Sequence, residues 1–316
     1  MRKLAFAVAL LICTSAFAQK APTSVRLIVP FPPGGPVDFV GRVLADGLRS
    51  QMGTAVIVDN RPGANGAVGV VALKQAPADG ATLFVASSGM VTFSPHYEKS
   101  LPYDVARDLV PIVNAAYSDV GFIAANKVRA KDLREFVALA KSSAKPLSIG
   151  SAGQGNITHA YLELFKDVAA IELVHVPYKG ASPALSDVLG GHIDGMFIAL
   201  STALPAAQAG KLKVLAVVGR RSAIAPEIPT ITEQGFPGVE ILPWFGLFAL
   251  HGTPPSITSS LAGEFRAVIN AEETKKKFAS AGFTSWYLAG EDFSRMIQAE
   301  SETWKRLINA RNLRSD

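Results

Sequence analysis

A chain of 316 residues, 49% hydrophobic and 18% charged, is long enough to build one large or two ordinary domains from core burial alone. Its formal charge of +5, spread over scattered Lys and Arg with no basic stripe among aromatics, argues against nucleic acid as a partner. The mean hydropathy of +0.26 raises the question of a membrane span, but the longest charge-free stretch, 241–263, contains Pro243, His251, Pro254 and Pro255 and reads as strand, loop and helix start.

The first residues have the layout of a secretory signal. Arg2 and Lys3 precede an apolar run over 4–13, and Ala16-Phe17-Ala18 offers a cleavage site before Gln19. Removal of residues 1–18 would leave 298 residues with a charge of +3, because Arg2 and Lys3 depart. Cys13 raises lipidation as an alternative, but Ile12 stands where a small residue is wanted, and the plainer reading is a cysteine inside the discarded segment. The exported chain then has no cysteine and cannot depend on disulfides.

Residues 26–29 form a short apolar run that reads as a strand covered on both faces. It leads into Pro30-Phe31-Pro32-Pro33-Gly34-Gly35-Pro36-Val37-Asp38. The prolines end the strand, the glycines permit a sharp turn, Pro36 suits the first helical position, and Asp38 falls in the first turn. Val40, Val43, Leu44 and Leu48 then recur at helical spacing. The unpaired N–H groups and dipole of such a helix start make an anion site that suits a carboxylate. The same residues also describe an ordinary strand-to-helix turn with Asp38 as its cap.

A second strand is expected over 55–58, a small-residue helix over 64–75, and a third strand over 82–86 running into Ser87-Ser88-Gly89. Such alternation predicts a parallel sheet with ligands at the strands' C-terminal ends, which puts Gly34 and Gly35 on the same rim as Ser87 and Ser88. After a looser, proline-containing section over 94–111, strands are expected near 120–125, 147–150, 173–176, 193–198 and 214–218, with helices near 131–142, 157–167, 183–189 and 204–209 between them. Residues 220–238 read as a return linker and 244–250 as an apolar strand. Two amphipathic helices finish the chain, one marked by Ile257, Leu261, Phe265 and Val268, the other by Phe293, Met296, Ile297, Trp304, Leu307 and Ile308. Lys275-Lys276-Lys277 reads as a solvated helix face.

The stretch Gly150-Ser151-Ala152-Gly153-Gln154-Gly155-Asn156-Ile157-Thr158-His159 repeats the strand-glycine-helix logic of the first loop. It lacks the third glycine of a dinucleotide fingerprint, where Thr158 stands, and the G-x-S-x-G of a nucleophile elbow. The five histidines show no metal-ligand spacing, so no metal or cofactor is expected. His159 could reach a ligand from the loop, or pack in the first helical turn bonded to backbone. Asp194 could bind a ligand amine, or cap Gly190-Gly191-His192. With no nucleophile and base pair visible, the two loops suggest binding without chemistry, and a secreted α/β hydrolase is the alternative.

The segments 30–38, Asn60-Arg61-Pro62-Gly63, Ala78-Asp79-Gly80, Leu101-Pro102-Tyr103-Asp104, 151–159, Val176-Pro177-Tyr178-Lys179-Gly180, 189–194, and Trp244-Phe245-Gly246-Leu247 with Gly252-Thr253-Pro254 follow in order along the chain. Together they resemble the Bug family, the periplasmic solute receptors of tripartite tricarboxylate transporters. The resemblance implies a two-domain α/β Venus-flytrap fold with mostly parallel sheets and an interdomain cleft. Residues 22–119 plus 222–316 would form the first domain and 120–221 the second. It also implies that Phe31, Gly34, Gly35, Val37 and Asp38 of the first loop, and Ser151, Ala152, Asn156, Thr158 and His159 of the second, clamp a small carboxylate, often through water. Asn156 stands where many members carry Thr or Ser. Ser87, Ser88 and Asp194 are further candidates. The partners implied are that carboxylate and the permease subunits of such a transporter, or a sensor kinase for a ligand sensor. The receptor would act as a monomer in the periplasm of a Gram-negative bacterium, by hinge closure on the ligand.

Overall fold

The computed structural model describes residues 24–53, 55–311 and 313–314; the expected signal segment, with Cys13, lies outside the described residues. Four strands open the chain: β1 (Ser24–Val29), β2 (Ala55–Asn60), β3 (Thr82–Ser87) and β4 (Leu109–Ser118). A second group follows: β5 (Val120–Ala125), β6 (Leu147–Ser151), β7 (Leu173–Pro177), β8 (Gly195–Ala199) and β9 (Leu212–Val217). β10 (Trp244–Leu250) and β11 (Phe283–Ala289) then rejoin the first group. The result is a six-stranded sheet of order β11-β4-β10-β3-β1-β2 and a five-stranded sheet of order β7-β6-β8-β5-β9.

Helices cover the sheets: α1 (Pro36–Met52), α2 (Ala67–Lys74), α3 (Ser94–Tyr97) and α4 (Val105–Asp108) in the first part, and α5 (Leu133–Ser142), α6 (Ile157–Ala169), α7 (Ala181–Leu189) and α8 (Leu200–Gln208) in the second. α9 (Pro255–Asn270), α10 (Glu272–Ser280) and α11 (Gly290–Arg311) close the chain. Lys275, Lys276 and Lys277 are exposed on α10. The expected run of parallel strands is present in β1 with β2 and β3, and in β6 with β7 and β8. The sheets as wholes are mixed, not mostly parallel. β4 passes into β5 through the single residue Asp119, which leaves no room for a crossover helix, and β10 and β11 return antiparallel.

β1 is buried on both faces, as its unbroken apolar run requires. Leu27 and Val29 pack with Val40, Leu44 and Leu48 of α1 and Leu261, Phe265 and Val268 of α9, while Ile28 packs on the other side with Val70, Leu73, Phe84 and Trp244. The small-residue helix lies very close to the sheet: a Cβ on Gly69 would fall 2.8 Å from Pro30 Cβ and 2.9 Å from Phe84 Cε2. The second sheet has its own aromatic core of Phe122, Phe136, Tyr161, Phe165 and Phe197. α11 joins both cores: Phe293 belongs to that of the first sheet, and Trp304, Leu307 and Ile308 to that of the second. The two crossings are tied together by the Ser118 N–H donating to the Pro243 carbonyl (3.0 Å) and the Val218 N–H to that of Val120 (2.9 Å). Ser222 also donates to the buried carboxyl of Asp119 there.

Candidate functional site

β1 runs parallel to both β2 and β3, so the turn after Val29, Asn60 and Ser87 share one rim. β10 lies antiparallel with Phe245 opposite Ser87, and β4 with Tyr117 opposite Trp244, which brings the crossings between the two sheets to that same rim. In the first loop, Gly34 adopts φ +87, a conformation open to glycine, and its N–H donates to Asp38 Oδ2 (2.9 Å). Arg42 Nε donates to the same oxygen (2.8 Å) and Asn60 Nδ2 to Oδ1 (2.9 Å). Asn60 also donates to the Phe31 carbonyl (3.0 Å).

Asp38 is therefore an internal brace, 2% exposed. Burial pushes its pKa up, but the hydrogen bonds from Arg42, Gly34 and Asn60, with the Arg42 charge, pull it below the usual carboxylate range. Its carboxylate would repel an anion, so the loop's affinity for one must come from backbone N–H groups. Gly35 is extended (φ −83, ψ 171) and starts α1, whose first-turn N–H groups at Val37 and Asp38 have no intrahelical acceptor. The Val37 side chain is core.

The second loop is knitted from its own side chains. Asn156 Oδ1 caps α6 by accepting from the Thr158 N–H (3.1 Å), and Thr158 Oγ1 accepts from the Ala152 N–H (2.8 Å). His159 is bonded to backbone: its Nδ1 accepts from the Gly155 N–H (3.3 Å), which places the ring proton on Nε2. The ring stacks on His175 at 3.9 Å, with 6° between the planes. Burial, the His175 ring and the Lys166 charge lower the His159 pKa to about 3, and burial with Lys166 lowers that of His175 to about 4, so both are neutral. The 3.7 Å approach of His159 Nε2 to Glu163 is accordingly not an ion pair; Glu163 pairs with Lys166 at 2.8 Å.

Ser151 Oγ lies 2.6 Å from His175 Nε2, a serine-histidine pair that the sequence hides because the two are 24 residues apart. It is not a nucleophile and base. Ser151 is fully buried, its hydroxyl also sits 3.1 Å from the Gly153 carbonyl and accepts from the Gly153 N–H (3.2 Å), and no carboxylate pairs with His175 among the described residues.

The second loop meets the first sheet at the end of β3. Gly89 faces the start of α6 so closely that a Cβ on it would lie 3.4 Å from the Ile157 nitrogen, a first-turn N–H of that helix. Beside it, Ser88 is 0% exposed and its Oγ has no hydrogen-bond partner among the described residues. Asn65, with Ala64 in left-handed backbone, donates to Ser94 Oγ (2.9 Å) and across to the Gly155 carbonyl (3.3 Å). A cavity of about 280 Å³ lined by Asn65, Ser94, Glu98, Leu101 and Gln154 opens beside this bridge. A larger one of about 690 Å³ lies away from both loops, along α11, between Leu101, Tyr103, Phe248, Ile297 and Glu302.

The structure thus puts the first loop, Ser87 and Ser88 on one rim of the first sheet, and brings Gly89 and Asn65 of that sheet's loops against the 151–159 loop. Asp194 stands apart, at the other end of β6 from Ser151. Its oxygens accept from the Ser148 N–H (2.7 Å) and Oγ (2.9 Å) and pair with Lys127 (2.9 Å), and these contacts overcome burial to hold its pKa below the usual range. It does not cap 190–192; the His192 N–H donates to the Asp187 carbonyl instead (2.8 Å). Asn65 and His175 were not singled out from the sequence; Ala64-Asn65-Gly66 directly follows a recognised motif and was the one available signal. Among the described residues no cluster of His, Cys, Asp and Glu could hold a metal ion, and no helix is long and apolar enough to cross a membrane.

Residues 40–313 match the family described as tripartite tricarboxylate transporter family receptor. The chain belongs to that family. Protein BugT of Bordetella pertussis (strain Tohama I) is 30% identical over 318 residues, covering 98% of this chain and 97% of BugT. Among solved structures, that described as R. palustris Rpa4515 with adipate is similar with a TM-score of 0.83 and 28% identity, covering 92% of this chain and 98% of that one. MatC from Rhodopseudomonas palustris with bound malate gives a TM-score of 0.78 and 27% identity, covering 90% and 98%. This family member is therefore a periplasmic-type solute-binding protein of two-domain α/β fold, not an enzyme.

Proposed function

We propose that the chain is an exported receptor that closes on a small organic acid and presents it to the membrane permease of a tripartite tricarboxylate transporter. One observation carries this reading: the Ser88 hydroxyl, buried and without a partner among the described residues, directly precedes Gly89, which packs against the Ile157 N–H at the start of α6, where the two sheets meet. A hydroxyl donor near the Ile157 N–H, the first-turn donor of α6 that Asn156 leaves uncapped, suits a carboxylate, since the helix dipole adds to the hydrogen bonds. The first-turn N–H groups of α1 provide the corresponding donors on the first loop. Adipate and malate in the two similar structures are both dicarboxylates, which favours that ligand class here.

In this reading 22–119 plus 222–316 form one domain and 120–221 the other, residues 1–18 direct export to the periplasm, and the receptor works as a monomer. Phe31, Gly34 and Val37 shape the first loop and Asp38 braces it. Ser151, Ala152, Asn156, Thr158 and His159 hold the second loop in the form that presents the Ile157 N–H.

A thermal-shift screen of the mature protein against mono- and dicarboxylates, malate and adipate included, tests it. A ligand at about a hundred times its dissociation constant adds about 2.7 kcal/mol of stability. At least one acid should raise Tm, survive incubation unchanged, and lose roughly tenfold or more in affinity in Ser88→Ala. Silence across the acids, or consumption of the bound one, would contradict the proposal.

A further inference from the structure

The longest helix among the described residues carries a buried carboxyl group outside both loops. Glu300 lies midway along α11, between Phe293, which packs in the first sheet's core, and Trp304, Leu307 and Ile308, which pack in the second's. Its neighbours are all donors or hydroxyls. Trp244 Nε1 donates to Oε2 (2.7 Å), Trp304 Nε1 donates to Oε1 (3.3 Å), and Thr92 Oγ1 lies 2.7 Å from Oε1. No cation pairs with it among the described residues. The titratable group that a charge on Glu300 would reach is Tyr161 of α6, whose hydroxyl donates to the Ile241 carbonyl (2.6 Å).

Thr92 belongs to the π-helical turn Gly89–Phe93 that continues β3 and Ser88, and its Oγ1 also lies 2.8 Å from the Ser88 carbonyl. Turns of this type cluster at functional sites. A threonine hydroxyl has one proton. If that proton goes to the Ser88 carbonyl, the usual back-bond of a helical threonine, the 2.7 Å contact with Glu300 needs a proton from Glu300. The alternative spends the threonine proton on a carboxylate and leaves that charge buried without a counter-ion, the costlier arrangement.

We propose that Glu300 is a positioning residue held as a neutral carboxylic acid, whose O–H donates to Thr92 Oγ1 while Thr92 donates to the Ser88 carbonyl, so that α11 fixes the turn bearing Ser88 and Gly89. The relay ties the rim of the first sheet to the helix that straddles both cores, and the turn keeps its place while the 151–157 loop moves against it. Burial raises the carboxyl's pKa, in keeping with the neutral form. The consequence for ligand capture rests on the receptor reading above. The proton and the tether do not.

Two measurements need no ligand. An infrared difference spectrum at neutral pH, wild type minus Glu300→Gln, should show the carbonyl stretch of a protonated carboxylic acid; carboxylate bands in its place would overturn the proposal. Hydrogen exchange should show the 88–93 amides opening roughly tenfold faster in Glu300→Ala but at the wild-type rate in Glu300→Gln, whose amide N–H₂ can donate to Thr92 and whose oxygen can accept from Trp244. Equal protection in wild type and Glu300→Ala, or equal loss in Gln and Ala, would overturn it. If an acid identified by the thermal screen binds Glu300→Gln like wild type and Glu300→Ala several-fold more weakly, the relay serves capture. Unchanged affinity in Glu300→Ala would reject that role while the receptor reading stands.

Discussion

The sequence lets Asp38 be a ligand residue or a cap, and the structure uses it as a three-way acceptor beneath the first loop. Replacing it with Ala strands the Gly34 N–H and Asn60 amide and should cost about 2–3 kcal/mol in urea unfolding. Gly34→Ala meets no neighbour within 4 Å but forces a Cβ at φ +87, and should cost about 1–2 kcal/mol in the same assay. The stacked histidines set a pH dependence. Their folded pKa values, about 3 for His159 and about 4 for His175, lie below the ordinary value of 6.5, so from 6.5 downward the unfolded chain takes up protons that the native state refuses. Their contribution is complete above about pH 6.5 and is lost as pH falls toward about 4, with a slope of at most about 1.4 kcal/mol per pH unit for each. Asp119 and Glu300, whose pKa values burial raises, act in the opposite sense, so the comparison must be with a variant that keeps them. His175→Gln should show a smaller loss of stability than wild type between about pH 7 and pH 5, and parallel profiles would refute the assignment.

At the scale of elements, the βαβ run from β1 to β3 was legible because each strand is a short apolar run and each helix starts at glycine or proline. β4 was not, because Pro111 and Asn114 interrupt its pattern. The structure tolerates Pro111 at a register shift opposite Phe248, and satisfies Asn114 Nδ2 with the Trp286 carbonyl (2.9 Å). β11, with Thr284 and Ser285 in a bulged strand, was hidden for a similar reason, and the π turn after β3 has no sequence signature. Of the candidate site, both glycine loops could be read locally. What escaped was the pairing of distant groups: Ser151 with His175, Asn65 with Gly155, and Asp194 with Ser148 and Lys127. The apolar stripe of α11 was readable too, but not that its two ends enter different cores. Trp304 packs edge-on against Phe93 at 5.5 Å and beside Tyr161 at 6.5 Å. Trp304→Ala should lower global stability by about 3–5 kcal/mol, measured by chemical denaturation.

The whole molecule is two sheets joined by two crossings and one straddling helix, with polar loops meeting across the gap. Few direct bonds hold those loops together; Asn65 to the Gly155 carbonyl is one of them. Asn65→Ala should therefore weaken ligand binding about fivefold, the equivalent of about 1 kcal/mol, by disfavouring the closed arrangement. Calorimetric titration of wild type and variant with the same acid checks this, and equal affinities would show that the bridge does not favour closure. The most direct test of the central claim is a crystal structure of the mature protein with the acid that stabilises it most. One carboxylate should lie between the first-turn N–H groups of α1, the Ser88 hydroxyl and the Ile157 N–H. An acid seated instead in the cavity along α11, or on one domain with no contact to the other, would contradict it.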